Sequence, residues 1–174
     1  METTRSRRSQ AAAARLAYSF VGSPVGRLLL AGDDRGLWLL SFAPEGSATS
    51  LGDEWQASDS LFRDVVRQLN AYFRRELRSF DVPMHLVGTE FQLAVWNTLP
   101  LIPYGTTMSY GELARRIGRP AAVRAVGGAN HANPISIIIP CHRVIGSNGT
   151  LVGYGGGLAT KDRLLALERG ELFA

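Results

Sequence analysis

Cysteine is almost absent from this chain: Cys141 is the only one in 174 residues. A solitary thiol cannot close a disulfide within the chain, and it cannot contribute to a zinc site built on several cysteines. The histidines His85, His131 and His142 do not have the spacing of a ligand set either. No metal and no cofactor is therefore expected. Without disulfides, a reduced cytoplasmic compartment is the default expectation. Long apolar runs are also lacking, since none approaches the ~20 residues that cross a bilayer, and no membrane partner is expected. Arg5, Arg7 and Arg8 precede Ala11 to Ala14 in the manner of a signal sequence, but Arg15 breaks the run before an apolar core develops. Residues 1–15 are expected to form a disordered basic tail with weak DNA affinity.

Acidic residues are scarce in one region. Between Phe91 and Ala159 the charged residues are Arg115, Arg116, Arg119, Arg124 and Arg143 against Glu112 alone, although the whole chain carries a net charge of only +4. A local basic surface suits a polyanion, nucleic acid first; a solvated, solubilising face is the alternative, and charge by itself does not choose. The apolar fraction of 45% is enough for a packed core.

The first half reads as a small α/β unit. Leu16 to Val21, Arg27 to Ala31 and Leu37 to Phe42 have the composition of strands, separated by glycine-rich turns, and suggest an antiparallel meander. Ala43 to Ser58 reads as loop. From Ser60 to Leu77, apolar residues recur at helical spacing, and Arg74, Arg75 and Arg78 would favour the C-terminal end of that helix dipole. A soft boundary near Val87 divides an α/β domain, 16–87, from a mostly helical domain, 88–174. The fold class is thus α+β.

The second half carries sharper signals. Thr89 with Gln92, and Ser109 with Glu112, are two capping-box patterns. Ser109 to Ile117 and Ala121 to His131 form two short helices around Gly118-Arg119-Pro120, a helix-turn-helix. The second of these contains Gly127-Gly128-Ala129. Two glycines weaken a helix by on the order of 1 kcal/mol each, and small residues permit close approach either to a neighbouring helix or to a ligand. Ile137-Ile138-Ile139 reads as a buried strand that Pro140 ends, leaving Cys141 where the backbone departs from the sheet, beside His142 and Arg143. A thiol attacks as thiolate, and a neighbouring imidazole or cation lowers its pKa. A buried structural cysteine is the plainer alternative. Gly146 to Gly149 suggests a hairpin-like turn, and Thr160 a cap for a last helix carrying Leu164, Leu165, Leu167 and Glu168.

Several segments together resemble one family. Asn133-Pro134 followed by Ile139-Pro140-Cys141-His142-Arg143-Val144 is similar to the active-site signature of the O6-alkylguanine-DNA alkyltransferases, or methylated-DNA–protein-cysteine methyltransferases. Ser109 to Ala114, Arg124 to Ala129 and Gly153 to Leu158 resemble that family in the same order, from about Phe91 to Glu168. The resemblance implies DNA repair by direct reversal. Cys141 would accept the alkyl group from O6 of a flipped-out guanine, with O4 of thymine a second candidate. His142 would take the thiol proton through a water, Glu168 would orient the imidazole, and Asn133 would hold the turn. Tyr110 would help rotate the nucleotide and Arg124 would fill the gap in the stack, on a helix made shallow by Gly127, Gly128 and Ala129. The carbonyls of Cys141 and Val144 would read the exocyclic amine, with Tyr154, Gly155 and Gly156 as the wall over the base. The partner is double-stranded DNA, met by a monomer or by several molecules cooperatively. With no second thiol, one turnover per molecule is expected.

Two departures from the family pattern bear on substrate range: Gly155 stands where many relatives carry Ser, and Ser136 where some carry Pro. Two other function classes are compatible with a Cys-His-carboxylate set beside a helix-turn-helix. A damage sensor or regulator would bind without gaining mass, and a cysteine hydrolase would turn over without a lasting adduct.

Overall fold

The computed structural model describes residues 15–46 and 51–171. The basic tail lies almost wholly outside the described residues. The first half is built on strands β1 (Ala17–Val21), β2 (Leu28–Asp33) and β3 (Gly36–Phe42), followed by β4 (Gln56–Ala57) and helix α1 (Arg63–Phe73). The second half contains α2 (Glu90–Thr98), β5 (Met108–Ser109), α3 (Tyr110–Arg116), α4 (Val123–His131), β6 (Val144–Ile145) and α5 (Leu158–Arg169). The class is α+β, as the residue patterns predict.

The larger sheet has the order β3-β2-β1-β4. The meander is antiparallel, with Tyr18 opposite Ala31 and Leu30 opposite Leu40. β4 corrects the loop expected over Ala43 to Ser58: it pairs parallel to β1, which makes the sheet mixed. Its two exposed residues, Gln56 and Ala57, have no strand composition, so no sequence pattern marks them. β2 is buried from Leu28 through Gly32, which gives a continuous rather than alternating apolar run.

The outer edge of β3 is where the two halves meet. Leu37 donates its N–H to Pro83 O and accepts from His85 N, each at 2.8 Å. Further along, Leu40 donates to Pro134 O at 3.0 Å and accepts from Ser136 N at 2.9 Å. The sheet edge therefore grips the segment that leads into Cys141. Gly36 allows the first of these contacts: at φ +143° a side chain is strained, and a Cβ there would lie 2.6 Å from Pro83 O. One apolar cluster runs from Leu30 and Leu40 through Tyr72 and Trp96 to Ile139 and Leu164.

Both capping boxes form. Thr89 Oγ1 accepts from Gln92 N while Gln92 reaches back to Thr89 N, and Ser109 and Glu112 repeat the arrangement. α3 and α4 make the helix-turn-helix, and Trp96 Nε1 donates to Ala129 O at 2.8 Å, fixing α4 against α2. β5 and β6 form a short parallel ladder, Met108 opposite Val144, which ties the start of α3 to the segment after Cys141.

Four expectations need correction. Ile137 to Ile139 is not a strand. Ile138 N donates to Ser136 O, Ile139 N to Ile135 O and Cys141 N to Ile139 O, all local bonds, and Ile137 has φ +72°. The apolar β-branched run reports burial, and the backbone satisfies itself in turns. α1 stops at Phe73 rather than near Leu77, because Arg75 adopts φ +64° and Arg74 turns to Glu76. Thr160 lies inside α5; the residue before the helix is Gly157 at φ +86°, with no side-chain cap. Gly146 to Gly149 is a turn held by Asn148 Oδ1, which accepts from Thr150 N and Oγ1, but it joins no hairpin, since β6 pairs with β5.

Replacing Thr89 by Ala removes one side-chain acceptor from the exposed start of α2. The expected cost is about 1 kcal/mol in denaturant unfolding with an unchanged slope. A midpoint identical to wild type would show that the box contributes nothing.

Candidate active site

Cys141 opens one turn of 3-10 helix, Cys141–Arg143, directly after Pro140. Asn133 holds the turn from beneath. Its Oδ1 accepts from Ile135 N at 3.0 Å, and its Nδ2 donates to Ile139 O at 2.7 Å and to Cys141 Sγ at 3.0 Å. Asn130, from α4, donates to the Cys141 carbonyl at 3.3 Å. The strained φ of Ile137 lies between these anchors, where surrounding bonds fix the backbone.

The two residues after Cys141, His142 and Arg143, enter a buried charge cluster with Glu168. Glu168 Oε1 contacts His142 Nε2 at 2.7 Å and accepts from Arg143 Nη2 at 2.9 Å and Tyr72 Oη at 2.8 Å. Glu168 Oε2 accepts from Arg143 Nε at 2.8 Å and Gly105 N at 3.2 Å. Burial alone would raise the Glu168 pKa, but hydrogen bonds from His142 and Arg143, with the Arg143 charge, outweigh it and hold the carboxyl at about 2. Because the carboxylate accepts, His142 Nε2 carries its proton and Nδ1 bears the lone pair. Nδ1 is buried and has no protein partner among the described residues. Burial lowers the His142 pKa despite Glu168, so the imidazole is neutral near pH 7.

Arg143 does not serve the thiol, contrary to the expectation that it depresses the Cys141 pKa. Its guanidinium is spent on Glu168 and on Ile102 O, at 2.7 Å. Burial pushes the Cys141 thiol up to about 11, against the Asn133 hydrogen bond and the charge of Lys161. At rest the thiol is protonated.

Lys161 is a site residue that the sequence pattern did not single out. It is fully buried in α5 and its Nζ donates to Val144 O at 2.6 Å and Val152 O at 2.8 Å. A signal was available: Lys161, Leu164, Leu165 and Glu168 share one helix face at positions i, i+3, i+4 and i+7. Asn130 and Tyr72 were also missed as site residues.

A cavity of about 270 Å³ opens beside Cys141. Asn130 and His131 of α4, Asn133, Ser136, and Gly153 to Gly155 line it, with Ser41 and Phe42 contributed by β3. Tyr154 is both core and wall, buried with its ring edge-on to Phe42 at 5.6 Å. Gly155 lines the cavity, whereas Val144 and Gly156 are not among the residues that line it. A Cβ on Gly156 would meet the Phe42 ring at 2.7 Å. Tyr110 is half-buried and donates to Val152 O at 3.1 Å. Arg124 and Gly128 are exposed one turn apart on α4, while Gly127 packs toward the Tyr110 ring and Ala129 is buried. Among the described residues no group of three or more His, Cys, Asp and Glu side chains could hold a metal ion. No described helix is long and apolar enough to cross a membrane.

Two family models match the chain. Residues 16–86 match the ribonuclease-like domain, and residues 90–170 the DNA binding domain, of 6-O-methylguanine DNA methyltransferase. A methylated-DNA–protein-cysteine methyltransferase of Methanosarcina acetivorans is 53% identical over 151 residues, 87% of this chain and 97% of the relative. One from Mycolicibacterium paratuberculosis is 52% identical over 152 residues, 87% of this chain and 92% of the relative. The crystal structure of Mycobacterium tuberculosis OGT in complex with DNA aligns with a TM-score of 0.81 at 51% identity, covering 88% of this chain and 93% of that one.

Glu168 is held at about 2 against 4.5 for a free side chain, so its contribution to stability is present above pH 4.5 and lost as pH falls toward 2. Glu168→Gln strands the Arg143 charge and should cost about 3–5 kcal/mol at pH 7. Its gap to wild type should narrow between pH 4.5 and 2, read by denaturant unfolding. A gap independent of pH would contradict the buried, ionised carboxylate.

Proposed function

Since this chain belongs to the 6-O-methylguanine DNA methyltransferase family, we infer that it is a methylated-DNA–protein-cysteine methyltransferase: it repairs DNA by moving an alkyl group from O6 of guanine to its own Cys141. The observation that carries the assignment to this residue is the lone thiol beside a cavity of about 270 Å³, with the lone pair of Nδ1 on the adjacent residue, His142, buried and unpartnered among the described residues.

The reaction follows from the groups present. The sulfur bonds to the alkyl carbon as the C–O6 bond breaks, and that electron pair stays with the guanine oxygen. The thiol proton passes through a water to His142 Nδ1 and returns to the base, so thiol and alkylguanine become thioether and guanine. The imidazolium formed in passing is stabilised through Nε2–H by ionised Glu168. Deprotonation is uphill in the free protein, with the thiol at about 11, and it is coupled to arrival of the lesion. The thioether is neutral, suits the buried site, and is a poor leaving group; with no second thiol in the chain, each molecule acts once.

Access requires that the nucleotide leave the stack, at a cost of a few kcal/mol. α4 presents Arg124 beside Gly128, a low surface with one cation standing out, which suits the minor groove. Arg124 fills the vacated space and Tyr110 crowds the target phosphate. The Val144 carbonyl holds one donor, Lys161, and keeps a second lone pair for the exocyclic amine, whereas the Cys141 carbonyl already accepts from Asn130 and from the Val144 N–H and would have to share one of those lone pairs. The glycines around Tyr154 close over the base. In this reading 88–174 does the chemistry and 16–87 braces it through β3. Its substrate, genomic DNA, makes the location intracellular.

Intact-mass measurement after mixing with O6-methylguanine duplex DNA tests the assignment. Wild type should gain a single methyl group and stop, and Cys141→Ala should bind DNA and gain none. Repeated turnover without adduct would indicate a hydrolase, and binding without mass gain a sensor; either outcome removes the assignment. Arg124→Ala should slow transfer from duplex DNA about 10-fold or more, the effect of losing roughly 1.4 kcal/mol or more from the extruded state, while transfer from the free alkylated base is unchanged. Equal rates on duplex DNA would remove the flipping role.

A further inference from the structure

The Glu168 carboxylate receives donors from several segments, and one of them lies far from the rest in sequence. Tyr72, on the buried face of α1, is fully enclosed, and its hydroxyl reaches across 96 positions to the oxygen that also contacts the imidazole, at 2.8 Å against 2.7 Å for His142. We infer that Tyr72 is a positioning residue for alkyl transfer: from the first half of the chain, its hydroxyl shares Glu168 Oε1 with His142 Nε2 and so sets how strongly the carboxylate holds the imidazole that must receive the Cys141 proton. The inference rests on the alkyl-transfer reading above.

Three observations support it. First, burial pushes the Tyr72 hydroxyl well above its ordinary 10.0, with the Glu168 charge acting in the same direction, so the group remains a donor at every working pH. Second, Oε1 takes three contacts, from Tyr72, His142 and Arg143, whereas Oε2 takes two. Donors on one oxygen draw on the same charge, so removing one strengthens the others. Third, a buried tyrosine needs some partner, but a backbone carbonyl would have served. Tyr104, packed edge-on against Tyr72 at 6.1 Å, leaves its own buried hydroxyl with no partner among the described residues.

The sign of the effect follows. The titratable and charged groups facing the carboxylate–imidazole pair are Arg143, Lys161, Cys141 and the tyrosines 72, 104 and 154. Of these, Tyr72 alone both donates to Oε1 and comes from α1. Without it, the charge on Oε1 is less dispersed, the imidazolium is better stabilised, and the His142 pKa rises. That pKa lies below 6.5 in the intact protein, burial being the main cause. Neutral imidazole is the base, so the acid limb of the transfer rate must move upward with it.

The test uses the full chain. The single-turnover rate on O6-methylguanine duplex is measured against pH, and the His142 imidazole nitrogens are titrated by NMR without DNA. Tyr72→Phe, which removes only the hydroxyl, should raise both the acid limb and the NMR midpoint by about half a pH unit, with unchanged affinity for undamaged DNA. 3-Fluorotyrosine at position 72 keeps the shape, donates more strongly, and should shift both downward. Gln68→Leu serves as the structural control: Gln68 is a buried residue of α1 whose Nε2 donates to Asp81 O at 2.7 Å, so its loss should lower Tm and leave the pH profile of wild type. A Tyr72→Phe profile superimposable on wild type, or a Gln68→Leu shift equal to that of Tyr72→Phe, overturns the inference. Wild type that gains no methyl group would instead sink the alkyl-transfer reading, and the NMR midpoints would still decide the Tyr72–Glu168–His142 coupling.

Discussion

A buried, ionised carboxylate is the constraint on which this structure depends. Glu168 is withdrawn from water, and an isolated charge there would be prohibitive. It is tolerated because Arg143 meets it with two nitrogens while His142, Tyr72 and the Gly105 amide occupy the remaining acceptor positions. Buried ion pairs seldom add net stability over apolar packing, so the gain is in geometry. Four segments must arrive together: α1, the turn at Gly105, the 3-10 turn after Pro140, and α5. Once they do, the imbalance of protons is fixed, with Nε2 protonated and Nδ1 free.

The same burial decides the chemistry of the sulfur. Arg143 is the residue next but one to Cys141, yet its charge is directed away, toward Glu168. The thiol therefore lies buried, with one amide donor and a more distant ammonium beside it, and its pKa goes up rather than down. A thiolate at rest would react with any electrophile that reached it. A protonated thiol beside a neutral imidazole waits for a substrate whose leaving oxygen can take the proton in the end. The neutral thioether needs no solvation, so the environment that disfavours the thiolate favours the product.

Recognition and chemistry are mechanically joined. β5 and β6 pair at the point where α3 begins and the 3-10 turn ends, and Trp96 and Asn130 fasten α4 to the core and to the Cys141 carbonyl. The first half contributes more than bulk: β3 holds the active-site segment by two backbone bonds at Leu40, and its Phe42 stands in the cavity wall.

The residue order by itself determined a good deal. Strand and helix composition placed the meander, α1, both capped helices and the helix-turn-helix, because those signals act within a few residues. It also singled out Cys141, His142, Asn133 and Glu168, which travel with a recognisable set of neighbours. What it could not carry was anything set by distant pairing. Three isoleucines promise a strand, but a sheet edge 95 positions earlier in the chain accepts only Ile135, through Leu40, and the rest turns back on itself. A lysine among leucines reads as surface until two carbonyls from another loop surround it. Arg143 reads as an activator of its neighbour until the fold supplies a carboxylate 25 positions later. Local sequence fixes dihedral preference and face; which charges meet, and how much water stays between them, is decided only when the chain closes on itself.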